Sequence, residues 1–117
     1  MNVADDESVA AAAKAFADWN FTLDILMNNA AILLKEDNSL LNDPSSIYSQ
    51  TINTNCHGAL RVTRAFLRFM KNQGRMINVS SGGGSMTDPV GGWSPAYCAS
   101  KTLLNGLTRQ LAYELET

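Results

Sequence analysis

Apolar residues recur along this chain with two periods, and the alternation between them predicts five elements. Residues 5–17 place Val9, Ala12, Ala13, Phe16 and Ala17 on one helical stripe, with Asp5 or Asp6 available as N-cap. Residues 23–27 (LDILM) form a short, nearly continuous apolar run. That length and composition predict a strand buried on both faces of a parallel sheet. Residues 31–42 predict an irregular loop. Asp43 as N-cap and Pro44 in the first turn then open a long helix that Gly74 ends. Its apolar face carries Tyr48, Ile52, Asn55, Ala59, Val62, Phe66 and Met70. Residues 75–81 predict a second buried strand, and residues 82–94, rich in small residues, a loop. From about Pro95 a last helix aligns Tyr97, Lys101, Leu104, Thr108, Leu111 and Leu115 on one face.

The order helix-strand-helix-strand-helix predicts an α/β fold, part of a Rossmann-like doubly wound parallel sheet with right-handed crossovers. Residues 1–117 read as one domain without internal repeats or linkers. Both ends fall against an element, so the expectation is the central portion of a larger domain. The hydrophobic fraction of 45% against 17% charged is globular. A net charge of −2 with scattered basic residues argues against nucleic acid or an anionic membrane as partner. No apolar run reaches membrane-spanning length. Cys56, His57 and Cys98 lack metal-ligand spacing, so no metal site is expected, and the two thiols read as reduced and cytoplasmic.

Parallel sheets bind ligands at the carboxyl ends of their strands. Here those ends read Asn28-Asn29-Ala30-Ala31 and Ser80-Ser81-Gly82-Gly83-Gly84, which equally suit ordinary turns. Tyr97 and Lys101 sit one turn apart, where an ammonium beside a phenol favours the phenolate for general acid/base work; a surface pair would look the same. Asn55, a polar residue on an apolar stripe, must find hydrogen-bond partners, whether a backbone group or a water chain. Gly58 follows one turn later. The four motifs occurring in this order on the expected elements outweigh any one of them.

Together these residues resemble the short-chain dehydrogenase/reductase family. Residues 24–31 resemble its strand and Asn-Asn-Ala-Gly turn. Asn55-Cys56-His57-Gly58 resembles the segment with its helix asparagine. Residues 77–81 resemble the strand ending in its catalytic serine, and Tyr97-Cys98-Ala99-Ser100-Lys101 its Tyr-x-x-x-Lys. The resemblance implies hydride transfer between NAD or NADP and a small alcohol/carbonyl substrate. It implies Tyr97 as general acid/base, Lys101 lowering its pKa and bonding the nicotinamide ribose, Ser81 polarising the carbonyl, and Asn55 holding a relay water. Asn28 and Ala30, with Tyr97 and Lys101, would contact the cofactor. It also implies a homo-oligomer paired through the two long helices. Four departures stand out: Ala31 replaces a glycine, a longer separation of Ser81 from Tyr97 makes the Met86 to Pro95 segment, with Trp93, a candidate substrate lip, Asn2 falls where an adenine-contacting acid is common, and the phosphate-cradling glycine turn is absent. A sheet of two strands leaves both edges unpaired, so the 117-residue chain itself is expected to be marginally stable and catalytically poor. A non-catalytic binding module, or a truncated product with the same fold, stays open as the alternative.

Overall fold

The computed structural model describes residues 1–87 and 92–116. Helix α1 (Asp6–Ala17) starts as its sequence dictates: Asp5 accepts the Glu7 N–H at 3.2 Å, and Asp6 and Glu7 complement the helix dipole. Its Val9 and Ala13 pack with Val62 and Phe66 of α3 (Gly58–Phe66) to form the core. Phe16, Phe66 and Phe69 close that core edge-to-face, with ring centroids between 4.9 and 5.9 Å apart.

Strands β1 (Leu23–Asn28) and β2 (Met70–Asn78) pair in parallel, as an α/β crossover requires. The helices lie on the side of Leu26, which joins the core. Period two puts Ile25 and Met27 on the opposite face, and both are 55% exposed; Ile77 and Val79 of the β2 segment are exposed too. The expected burial on both faces is therefore met on one face only among the described residues. A right-handed crossover that advances in one direction lands its helix on the same side each time.

Three further expectations are corrected. Asp43 does not cap a helix. Its Oδ2 accepts the N–H groups of Asn38 and Ser39 at 2.7 Å each, and α2 (Ser45–Ile52) begins after Pro44. The long helix is not continuous, because a wide π-turn at Asn53–His57 separates α2 from α3. Nor does Gly74 end it: the helical path closes in a short 3-10 turn at Leu67–Phe69, and the chain is already extended at Met70. Leu23 pairs with Met70 but Ile25 pairs with Arg75, so β2 spends extra residues between those rungs as a bulge. A Cβ on Gly74 would lie 3.0 Å from the Lys71 carbonyl oxygen and 3.1 Å from that of Asp24. Glycine answers to that close approach rather than to a helix end.

Helix α4 (Pro95–Glu116) follows a 3-10 turn at Gly82–Gly84. A Cβ on Gly84 would fall 2.7 Å from the Lys101 carbonyl carbon and 2.8 Å from the Thr102 nitrogen. Only a residue without a side chain lets the turn sit on the helix backbone this closely. Residues 88–91 of the 82–94 loop, and Thr117, lie outside the described residues. We expect Gly84→Ala to lower stability by about 1–3 kcal/mol through overpacking, measured by urea unfolding. A cost near zero would mean that the turn and α4 are not in contact.

Candidate active site

Each backbone group at the start of α4 is accounted for. Pro95 has no N–H to satisfy. Ala96 N–H donates to Asp37 Oδ1 at 2.9 Å, Tyr97 N–H to Asp37 Oδ2 at 2.8 Å, and Cys98 N–H to the Ser94 carbonyl at 2.9 Å. The helix thus starts on a carboxylate from a distant loop, where a negative charge also suits the helix dipole. Tyr97 is half-buried, and its ring lies 6.0 Å from that of Trp93, which is partly exposed.

One turn on, Lys101 is only 3% exposed. Its Nζ stands 5.6 Å from the Tyr97 ring centroid and donates to the Val79 carbonyl at 2.9 Å, at the carboxyl end of β2. Burial pushes the Lys101 ammonium below the ordinary lysine value, an effect partly offset by Cys56. One of the three ammonium N–H groups meets Val79, which leaves two for other acceptors. Ser81 precedes the glycine turn in extended backbone, and its Oγ accepts the Gly83 N–H at 3.1 Å. Thr102 Oγ1 donates to the Gly84 carbonyl at 2.9 Å, which ties this turn to α4. Ser81, Tyr97 and Lys101 therefore come from elements packed directly on one another.

Asn55 sits in the π-turn and is 1% exposed. Its Oδ1 accepts the Ile32 N–H at 2.8 Å, while its Nδ2 donates to the Ile32 carbonyl and to Ser100 Oγ, both at 3.0 Å. Ser100 Oγ donates in turn to the Tyr97 carbonyl at 2.6 Å. Of the two sequence readings for this amide, a backbone partner or a water chain, its side chain adopts the first. Tyr97 is held through both backbone groups, by Asp37 at its N–H and by Ser100 at its carbonyl.

Asn28 and Ala30 stand at the end of β1, beside rather than within this group. The Asn28 carbonyl accepts the Val79 N–H at 3.0 Å, so a single β2-side residue bridges the two. Asn28 Nδ2 donates to Asn78 Oδ1 at 2.8 Å and to Thr63 Oγ1 at 3.2 Å, and Asn78 Nδ2 continues to Thr108 Oγ1 at 2.9 Å. This amide ladder crosses from α3 over both strands to α4. Ala30 is exposed; with Met1, Val3, Met27, Asn28, Asn29 and Val62 it lines a cleft of about 130 Å³. Sequence reasoning missed Asp37, Ser100 and Asn78. Ser100 could have been found as the residue one turn after Tyr97, whereas nothing in its neighbourhood marks Asp37. Among the described residues no cluster of His, Cys, Asp and Glu could hold a metal.

A small-residue turn after each of two parallel strands, with a Tyr-x-x-x-Lys helix against the second, defines a Rossmann-type ligand-binding fold. A family model described as enoyl-(acyl carrier protein) reductase matches residues 1–117. The 3-oxoacyl-(acyl-carrier-protein) reductase FabG of Vibrio cholerae is 37% identical over 98% of this chain and 46% of its own length. A short-chain dehydrogenase/reductase of Aspergillus fumigatus is 31% identical over 95% of the chain and 45% of that protein. Among solved structures, an NADPH-bound carbonyl reductase from chicken fatty liver superposes with a TM-score of 0.89 at 28% identity, covering 99% of this chain and 51% of that one. The NAD+-bound xylitol dehydrogenase gives 0.85 at 27%, covering 99% and 44%. The chain belongs to the short-chain dehydrogenase/reductase family. It spans about half the length of the curated relatives it matches.

Two predictions follow from the buried groups. Asn55→Ala strands both backbone groups of Ile32 and should cost on the order of 2–3 kcal/mol, read by thermal or urea unfolding; a neutral result would show that residue 32 finds other partners. Burial pushes the Cys56 thiol up to about 11, against a smaller opposing pull from Lys101. Because the folded value lies above the ordinary 9.0, the contribution to stability is full below pH 9 and lost as pH rises through about 11. At pH 8 iodoacetamide should leave Cys56 unmodified in the native chain and label it after unfolding, as read by mass spectrometry.

Proposed function

We propose that residues 1–117 are part of one NAD(P)-binding domain and carry the catalytic group of an oxidoreductase acting on a small alcohol or carbonyl compound. The observation that carries this reading is Tyr97 above a buried Lys101 at the carboxyl end of β2, with the Ser81 turn packed on the same helix. In the reductive direction the Tyr97 hydroxyl gives its proton to the substrate oxygen as that oxygen gains charge; in the oxidative direction the phenolate takes the proton back. Lys101 places its ammonium beside the Tyr97 ring. Ser81 orients the carbonyl through its hydroxyl. Asn55 braces the site through Ile32 and Ser100; the relay water is what the family resemblance assigns to it, beyond these contacts.

The residues present fit a nicotinamide cofactor. Lys101 keeps two N–H donors for a ribose, and the exposed Asn29-Ala30 turn borders a cleft with an apolar wall. Asn28, Ala30, Tyr97 and Lys101 are the residues that would hold it, and when bound it supplies the hydride donor or acceptor. The bound NADPH and NAD+ of the neighbouring structures support NAD or NADP without choosing between them. Among the described residues no helix is long and apolar enough to cross a membrane. The reading also includes a cytoplasmic homo-oligomer joined through the α2–α3 segment and α4, on which Leu103 and Leu115 are exposed.

The test is titration of the purified chain with NADH and NADPH, followed by nicotinamide fluorescence, and then a screen of carbonyl substrates. Tyr97→Phe should lower turnover by about 10²–10⁴-fold and leave cofactor affinity unchanged. Equal turnover in the variant would sink the acid/base assignment and favour a non-catalytic binding module.

A further inference from the structure

We infer that Asp37 is the positioning residue for Tyr97: a buried carboxylate, supplied from the loop after β1, that sets where the α4 helix begins and hence where the phenol stands. This rests on the catalytic reading of Tyr97 above. Asp37 is 3% exposed and lies about sixty residues from its partners in sequence. Its two oxygens take one N–H each, from Ala96 and Tyr97, at 2.9 and 2.8 Å. Pro95 offers no N–H and Cys98 uses the Ser94 carbonyl, so the Asp37 carboxylate completes the accounting for the first turn.

The carboxylate is itself held in place. Asp37 N–H donates to the Leu34 carbonyl at 3.1 Å. The next two N–H groups, of Asn38 and Ser39, both bind Asp43 Oδ2 at 2.7 Å, and Asp43 N–H returns to the Ser39 carbonyl at 3.0 Å. Upstream, both backbone groups of Ile32 are clasped by Asn55. Residues 32–43 therefore form a brace that meets the π-turn at Ile32 and the start of α4 at Asp37. Asn55 also reaches Tyr97 from the carbonyl side through Ser100. The loop and the π-turn meet at the same residue from opposite sides. Ser94 directly precedes the helix, yet the Ala96 and Tyr97 N–H groups go to Asp37 while Ser94 gives its carbonyl to Cys98; a cap from residue 94 would in any case move with the helix. A carboxylate anchored on the brace ties the helix start to the β1 side of the site. Proton transfer depends on placement within a fraction of an ångström, and a misplacement of about 1 Å costs roughly 10²-fold in rate.

Asp37→Asn keeps the side-chain shape and one acceptor oxygen; Asp37→Ala keeps neither. Two readouts on the full chain test the proposal. Amide hydrogen exchange at Ala96 and Tyr97 should quicken by about tenfold or more in Asp37→Ala and less in Asp37→Asn, with the core amides of α1 and α3 unchanged. In steady-state kinetics kcat should fall by roughly 10–100-fold, graded Ala below Asn, while KM for the cofactor stays within about threefold. Unchanged exchange at both amides overturns the clamp. Quickened exchange with wild-type kcat, in an enzyme that Tyr97→Phe inactivates, overturns the positioning role and leaves the proposed function standing. Wild-type chain whose turnover is absent, or is indifferent to Tyr97→Phe, overturns the function and the positioning role with it. A variant too unstable to assay as Ala is replaced by Asn, whose intermediate effect on both readouts decides the same question.

Discussion

The site depends on one constraint above all: polar groups taken out of water must be paired, and this chain pairs them between elements that share no regular hydrogen-bond ladder. Asn55 is the centre of that pairing. Its amide holds the backbone of Ile32 by both N–H and carbonyl and passes on to Ser100 on α4. A regular α-helix running from 45 to 66 would direct residue 55 by its own 3.6-residue period. The π-turn at Asn53–His57 changes that direction locally, and such bulges recur where a side chain must be re-aimed. Asn53 belongs to the same arrangement, donating to the Ala4 carbonyl while its Oδ1 accepts from Arg61.

The same constraint explains why α4 can bring a cation and a phenol to the sheet end. Lys101 is buried, which disfavours its charged form, and its ammonium finds a hydrogen-bond partner in the Val79 carbonyl. Close approach of the helix makes that bond reachable, and the approach is possible because Gly84 has no side chain. Asp37 satisfies the helix start. Glycine spacing, a carboxylate cap and a buried ammonium are thus three consequences of seating one helix end against one strand end.

The positions of the residues proposed as catalytic were legible because they occupy fixed places on regular elements. Tyr97 and Lys101 needed only helical periodicity to be put on one face, and Ser81 needed only the end of a strand. The elements themselves were legible where period and boundary signals agreed, as in α1 with its Asp5 cap. They were misread where one residue type serves two purposes. Gly74 suits a helix end and a bulge equally; Asp43 suits a helix cap and a loop clasp equally. Their neighbours in space, the Asp24 carbonyl for one and the Asn38 and Ser39 amides for the other, choose between them.

What the sequence determined by itself was the alternation of elements, the parallel α/β class and the placing of Tyr97 and Lys101, to which proton chemistry is proposed here, on one helix face, because these follow from short-range spacing. Tertiary structure decided the rest. Asp37 has no local signature, since the groups it binds are brought to it only when the loop after β1 folds onto α4. The π-turn is likewise invisible to a helical period and follows from the demand that Asn55 face Ile32. The exposed face bearing Ile25 and Met27 shows the same limit from the other side: apolarity says that a residue can be buried, and only the packed neighbours say whether it is.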